Sequence, residues 1–581
     1  MRPRLFSGPA RPGSYPSSLL RTGLPGLVGL CVAGPALGQV GGGYPSLPAA
    51  SVDVRTGDLR QQLEAYQQKP ADRLAQPAWI ISPSIGVDVG VTDNAQETSR
   101  SQRFDVFTTI SPALVVSGET SRIKVNAAYT PLAYIYASNS AQTRFDQYFN
   151  GSALTTLVPE TLFLDLRASI SQQSRTGGLG YNGASQLNPQ DQVQSITVSA
   201  TPYVEHRFGG WGTGRVGYSI LRTLQDSRSN GTNFTPSQLA ALQSISNSGL
   251  GVTGNLTTQR ERGTFITGEN LGRFNNITTV EAVQYSGAGS YHGAYRNLIS
   301  NDVGYAVTRT ITLVVGGGFQ DLYFSGTPGY RLSEPIWNAG VRFTPAPDST
   351  ISVGIARRDG ANGLYLDAAV SPTARTRLYA RYSEGLSTDA EDQQNLLQST
   401  TIGSTGLVTD TVTGAPVSST SSLFGTQNGL FRLRRFSVNG SLVLNRDVFS
   451  ASVVNEDRSN ITATSFGPSN GSFLPILPAG SSSNGTFGTL AWQHELTPVL
   501  TSSASVSYGV TSYSNLGTGS SQSSTTSISG QAALNYLFTQ TLSGSVRYTF
   551  IQRTGSQAQT IFGNQGNYTE NQIIVGLRKS F

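Results

Sequence analysis

The chain of 581 residues is 37% hydrophobic and only 13% charged, with 65 glycines and a single cysteine. That profile excludes an ordinary soluble globule and a disordered polyelectrolyte, and no run reaches the ~18 consecutive apolar residues that a membrane-spanning helix needs. The formal net charge of +6 includes four arginines in the first 38 residues, which hold no acid; the remainder carries +2 and no clustered Lys/Arg, so nucleic acid is excluded as a partner.

The N-terminus reads as a secretory signal. Arg2, Arg4, Arg11 and Arg21 precede an apolar stretch from Leu24 to Val32, and Ala36-Leu37-Gly38 offers a small-x-small cleavage site before Gln39. Cys31 follows Leu30 where a lipobox wants a small residue, so it is taken as a small hydrophobe removed with the signal. The mature chain then has no cysteine, hence no disulfide and no thiolate metal site. Residues 39–78 form a Gly- and Pro-punctuated periplasmic linker, too short for a plug domain. It holds one short helix candidate, capped at Asp58 and stopped by Pro70.

From Trp79 to the C-terminus the pattern has a period of two. Ile81, Pro83, Ile85, Val87, Val89 and Val91 oppose Ser82, Ser84, Gly86, Asp88, Gly90 and Thr92. Leu162, Leu164, Leu166, Ala168 and Ile170 oppose Phe163, Asp165, Arg167, Ser169 and Ser171. At the end of the chain Ile573, Val575 and Leu577 alternate with Gln572, Ile574, Gly576 and Arg578, up to a terminal Phe581. Several runs last about ten residues or more, the length that a tilted strand needs to cross a bilayer, with lipid on one face and water on the other. A chain that spans without apolar helices must close its sheet, because lipid satisfies no backbone hydrogen bond. Residues 79–581 are therefore expected to form an all-β, transmembrane, antiparallel up-and-down barrel of roughly 18–22 strands.

The connections are of two kinds. Short turns are expected at 306–310, 344–348, 372–376, 496–498 and 538–541; long Ser/Thr/Asn/Gly-rich loops are expected around 227–245, 386–427, 459–484 and 554–570. Short periplasmic turns and long extracellular loops are the usual asymmetry. The long loops have little apolar surface to fold on their own. Tyr134, Tyr136, Tyr218, Tyr382 and Tyr508 stand near strand ends, as tyrosines at a headgroup zone do. Gly316, Gly317 and Gly318 suggest a kink in a strand.

Chemistry is sparse. His206, His292 and His494 are the only histidines, no hydrolase, zinc or nucleotide motif is present, and no catalytic residue, cofactor or metal site is expected. On the polar face, Arg215, Arg377, Arg381, Arg547, Asp88, Asp165 and Asp367 are candidates for the lumen, either selecting anions or polar solutes or pairing with one another along the wall. Lysine is limited to Lys69, Lys124 and Lys579; arginine's planar fork suits crowded hydrogen-bond networks better. Ile573, Val575, Leu577 and Phe581 form the segment that barrel-assembly machinery typically reads, and this last strand should pair with the first near Ile81–Val91.

The runs SPSIGVDVGVTDN (82–94), RFDVFTTISPALVVSGETSRIKVNAAYTPLAYIYA (103–137) and LFLDLRASISQQ (162–173) resemble a family of uncharacterised outer-membrane β-barrel porins. That family accompanies the PEP-CTERM/exosortase and exopolysaccharide systems of Gram-negative bacteria. The resemblance implies an outer-membrane conduit for polar solutes or exported polysaccharide, with lipid, the barrel-assembly machinery and exopolysaccharide export components as partners. The alternatives are a surface-structural or adhesin barrel working through its long loops, and an outer-membrane hydrolase.

Overall fold

The computed structural model describes residues 78–99, 102–174, 192–227, 255–287, 289–402, 408–410, 423–424, 427, 429–465, 476–514, 522–556 and 567–581. The expected signal peptide, the expected linker with its helix candidate and much of several expected long loops lie outside these residues.

The first seven strands are β1 (Trp79–Thr92), β2 (Asp105–Glu119), β3 (Ile123–Tyr136), β4 (Arg144–Val158), β5 (Leu162–Ser174), β6 (Gln192–Arg207) and β7 (Gly212–Ser227). Next come β8 (Leu256–Thr267), β9 (Phe274–Gly287), β10 (Tyr295–Ala306), β11 (Ile311–Phe324), β12 (Tyr330–Ala346), β13 (Ser349–Arg358), β14 (Ala361–Thr373) and β15 (Thr376–Ser387). A helix, α1 (Asp389–Ser399), leads into the small hairpin β16 (Thr400–Ile402) and β17 (Val408–Asp410). After it follow β18 (Phe431–Val443), β19 (Asp447–Asn460) and a second small hairpin, β20 (Thr464–Ser465) with β21 (Ile476–Leu477). The last five are β22 (Ser482–Thr497), β23 (Leu500–Ser514), β24 (Gln522–Thr539), β25 (Leu542–Ser556) and β26 (Tyr568–Ser580).

Apart from the two small hairpins, these strands form one 22-stranded sheet in which each pairs antiparallel with the next. β26 pairs with β1 from Ser84↔Ser580 to Thr92↔Gln572, and Phe581 N donates to Pro83 O at 3.0 Å, so no edge is left open. The count stands at the upper end of the range read from the hairpins. A ring of this size encloses a lumen too wide for wall side chains alone to fill.

The two faces follow the period of two. Ile573, Val575 and Leu577 are more than half exposed on the outer wall, whereas Gln572 and Ile574 between them are buried. At the end bearing the short connections, threonine recurs in one role. Thr308, Thr373, Thr497 and Thr539 each accept, through Oγ1, a backbone N–H two or three residues on, as in Leu500 N to Thr497 Oγ1 at 3.0 Å. Exposed Phe208, Trp211, Phe274, Phe343, Trp492 and Phe538 lie at or near these turns.

Three sequence expectations are corrected. The Gly316–Gly318 run is no kink: β11 keeps unbroken register with both neighbours, Asp302↔Gly316 on one side and Gly316↔Asn338 on the other. A Cβ at 316 would overlap both flanking side chains; its absence lets Asn338 Nδ2 reach across the strand to Asp302 Oδ1 at 2.6 Å. Tyr136 does not face a headgroup zone but packs inward on Phe107, with ring centroids 5.5 Å apart, and Arg144 lies over the ring of Tyr134 at 4.1 Å. The third correction concerns residues 386–427, a segment expected to be an open polar loop. Its part Asp389–Ser399 forms the helix α1, and almost every residue of that helix is buried.

Candidate functional site: a polar helix across the lumen

The sequence of α1, DAEDQQNLLQS, is polar nearly all round. An 11-residue helix of this kind is marginal alone. It forms here because its ends and flanks find partners on the inner wall. Thr388 caps the N-terminus, its side chain accepting from Glu391 N at 3.3 Å, and Asp389, Glu391 and Asp392 fill the first turn, where the helix dipole favours negative charge.

Those acids meet wall arginines. Arg458 Nη1 on β19 stands 2.8 Å from Asp389 Oδ1, while its Nε pairs with Glu456 at 2.6 Å, and Glu456 in turn takes Arg435 of β18 at 2.6 Å. The Arg458 guanidinium also lies 4.2 Å from the ring centre of Phe431 and is fully buried. Glu391 Oε1 accepts from the Tyr285 hydroxyl of β9 at 2.9 Å and faces Arg296 of β10 at 3.9 Å. Ser387 donates to Asp392, and Tyr291 donates to Thr388. Burial pushes the Asp392 carboxyl up to about 7 against the pull of Arg435 and Arg458, and burial raises Asp389 as well.

The rest of the helix is held along the β5–β10 arc, across the ring from Arg458. Arg167 Nη1 of β5 donates to the carbonyls of Leu397, Gln398 and Thr400 at 3.3, 2.8 and 2.6 Å, satisfying groups that a helix C-terminus leaves open. Arg260 Nη1 of β8 donates to Gln398 at 2.6 Å, Thr258 of β8 donates to Gln394 at 2.6 Å, and Ser195 of β6 donates to Gln393. β5 to β10 and β18 to β19 occupy separate arcs of the ring. A helix bonded to both crosses the lumen.

An apolar collar fixes the places where the chain turns inward. Leu386 before the helix and Leu430 after the segment are buried with Ala390, Tyr285, Tyr291 and Phe324. Leu386 N donates to Asp359 Oδ2 at 3.0 Å and Leu430 N to Thr462 Oγ1 at 2.9 Å. Asp359 and Gly360, both with positive φ, make the tight β13–β14 turn that presents this carboxylate.

Of the candidate lumen residues, several stand in ion pairs along the wall. Arg215 pairs with Glu205 at 2.9 Å, Arg377 with Asp348 at 3.1 Å, Arg381 with Asp367 at 2.6 Å, and Asp165 with Arg167 at 2.9 Å. Asp88 lies opposite Gly576 at the closing seam, and Arg547 opposite Ile574. Among them Asp165, through Arg167, adjoins the helix. Sequence reasoning missed α1 and its arginines. The available signal was Thr388-Asp389-Ala390-Glu391, a capping box followed by good helix formers.

The three histidines are not gathered: His206 ends β6, His292 precedes β10, and His494 on β22 pairs with Asp447 at 2.8 Å. Among the described residues, no group of three His, Cys, Asp or Glu could hold a metal ion, and no helix is long and apolar enough to cross a membrane. What crosses is the sheet.

The chain is a closed 22-stranded β-barrel with an apolar outer wall. No family model and no curated protein matches it. Among solved structures it is similar to the siderophore receptor PirA from Pseudomonas aeruginosa, with 13% identity over 87% of this chain and 81% of that one and a TM-score of 0.37. The FrpB iron transporter from Neisseria meningitidis matches at 9% identity over 94% and 87%, with a TM-score of 0.41. The ferric-catecholate import receptor Fiu from E. coli K12 matches at 11% over 87% and 82%, with a TM-score of 0.44. Identities and TM-scores this low carry no inference about substrate, and the fold rests on the strand pairing itself.

Proposed function

We propose that this barrel is a gated conduit for polar solutes, that residues 1–38 are removed as its signal peptide, and that α1 (Asp389–Ser399) forms its gate. The observation that carries this reading is the helix bonded to opposite arcs of the wall, Asp389 to Arg458 and the last carbonyls to Arg167. A polar helix fills a lumen without sealing it permanently, because water can replace each hydrogen bond it makes to the wall. Displacement breaks the docking bonds and exposes Leu396, Leu397, Leu423 and Phe424, which are buried when the segment is docked.

The barrel itself does not need the segment. β15 and β18 pair directly from Thr376↔Leu442 to Ser387↔Phe431, so a short Gly/Ser link can replace 388–430 while the ring stays closed. In planar bilayers the full chain should show small or rare openings, and the deletion variant large, steady conductance, with both still heat-modifiable on gels. Equal conductance would refute the gate. An exopolysaccharide cargo rests on the sequence resemblance alone and would require the segment to leave the lumen, so smaller polar solutes are the preferred class. Pairing of the lumen candidates Arg215, Arg377, Arg381, Asp165 and Asp367 favours a wall-bracing role for them over a selecting one.

A further inference from the structure

The gate is acidic and the wall it closes against is basic. Residues 388–430 contain Asp389, Glu391, Asp392 and Asp410 and no Lys, Arg or His. The helix meets Arg167, Arg260, Arg296, Arg435 and Arg458, against which, among the described residues, the wall sets the carboxylates Asp165, Glu281, Asp359 and Glu456. Five arginines against four carboxylates leave the wall with surplus positive charge that the first turn of α1 neutralises. Two of these arginines are engaged by helix carboxylates, and Arg167 by a cluster of helix carbonyl oxygens. The two ends of α1 lie about 15 Å apart at the helical rise.

Resting on the gate reading above, we infer that α1 occupies the binding track of the conduit's own cargo, and that this cargo is a solute bearing several carboxylates. Arginine forks bind carboxylates in the geometry that Asp389 and Glu391 already exploit. With the gate withdrawn, the arginines around the lumen lose those partners, and the carboxylates of a solute replace them. The acidic segment thereby competes with cargo, so that entry of an acidic solute and opening of the gate favour each other. Cargo without charge gains nothing from the exchange and meets a closed lumen.

The test uses the full-length protein, the variant in which a Gly/Ser link replaces 388–430, and a D389N/E391Q variant, each checked for heat-modifiable migration before bilayer recording. Reversal potentials in a KCl gradient should show the anion-to-cation permeability ratio raised about threefold or more in the deletion variant. Citrate should reduce its current, sucrose should not, and R167Q with R260Q added to the deletion should relieve the citrate block. In the D389N/E391Q variant, whose gate keeps its length but loses the carboxylates paired with Arg458 and Arg296, openings should become more frequent. Larger conductance with unchanged ion selectivity and no citrate block would overturn the acidic-cargo inference and leave the gate standing. Unchanged conductance would overturn the gate and this inference together. Block by inorganic phosphate as strong as that by citrate would overturn the carboxylate assignment.

Discussion

Val546 and Ser545 are neighbours on β25, yet their side chains meet different media. Val546 is half exposed on the apolar outer wall, while Ser545 sits opposite Gly576, beside Asp88 on the inner face. Val546→Arg should therefore cost about 2–4 kcal/mol of membrane insertion if the site lies near the midplane, whereas Ser545→Arg meets water and should cost far less. Folding yields in liposomes, read by heat-modifiable migration, test this, and equal yields would reverse the assigned phase of the strand. The phase was legible at such positions because lipid and water impose opposite chemistries on adjacent residues. The partners of the inward arginines were not legible. Arg381 meets Asp367 on the next strand because of register, and a one-residue slip would have placed them on opposite faces.

At the scale of elements, α1 shows how a polar segment becomes ordered. Its acids are buried beside Arg435 of β18 and Arg458 of β19, with Asp389 and Ser387 near Asp392. When docked, the Asp392 carboxyl holds its proton up to about pH 7, whereas an undocked segment would release it at about 3.9. The docked form therefore binds the proton more tightly, and acidification from about 7 toward 4 favours docking, an effect lost again as the pH rises through 7. Open probability in bilayers should fall as pH drops from about 8 to about 5, and D392N should flatten that response. A D392N profile identical to that of the parent would assign the dependence to another group. The capping box was readable at Thr388–Glu391; that the helix would turn inward was not, because its own composition gives it no buried face.

At the scale of the whole molecule, ring closure is the decisive event. β26 bonds to β25 on one side and to β1 on the other, so its removal opens two unpaired edges in lipid. Deleting Ile573 to Phe581 should abolish outer-membrane insertion, and deleting Phe581 alone, which is largely exposed at the rim, should lower yield and raise periplasmic degradation. Cell fractionation with protease protection measures both. A truncated chain that still reached the membrane in heat-modifiable form would show that closure does not require this strand.

The sequence alone determined the class of fold, the alternation of runs such as those in β1, β5 and β26, and the pairing of its first and last strands, because a period of two is a local response to lipid on one side and water on the other. Tyr136 escaped that reading, since tyrosine suits either the headgroup zone or a polar interior, and only contact with Phe107 distinguishes them. Tertiary structure alone decided what fills the lumen. Arg167 meets the carbonyl of Gln398 across 231 residues of chain, and Arg458 meets Asp389 from another strand of the ring. Such contacts depend on curvature and closure, which bring distant strands around one interior, and no local pattern records which loop will turn into it.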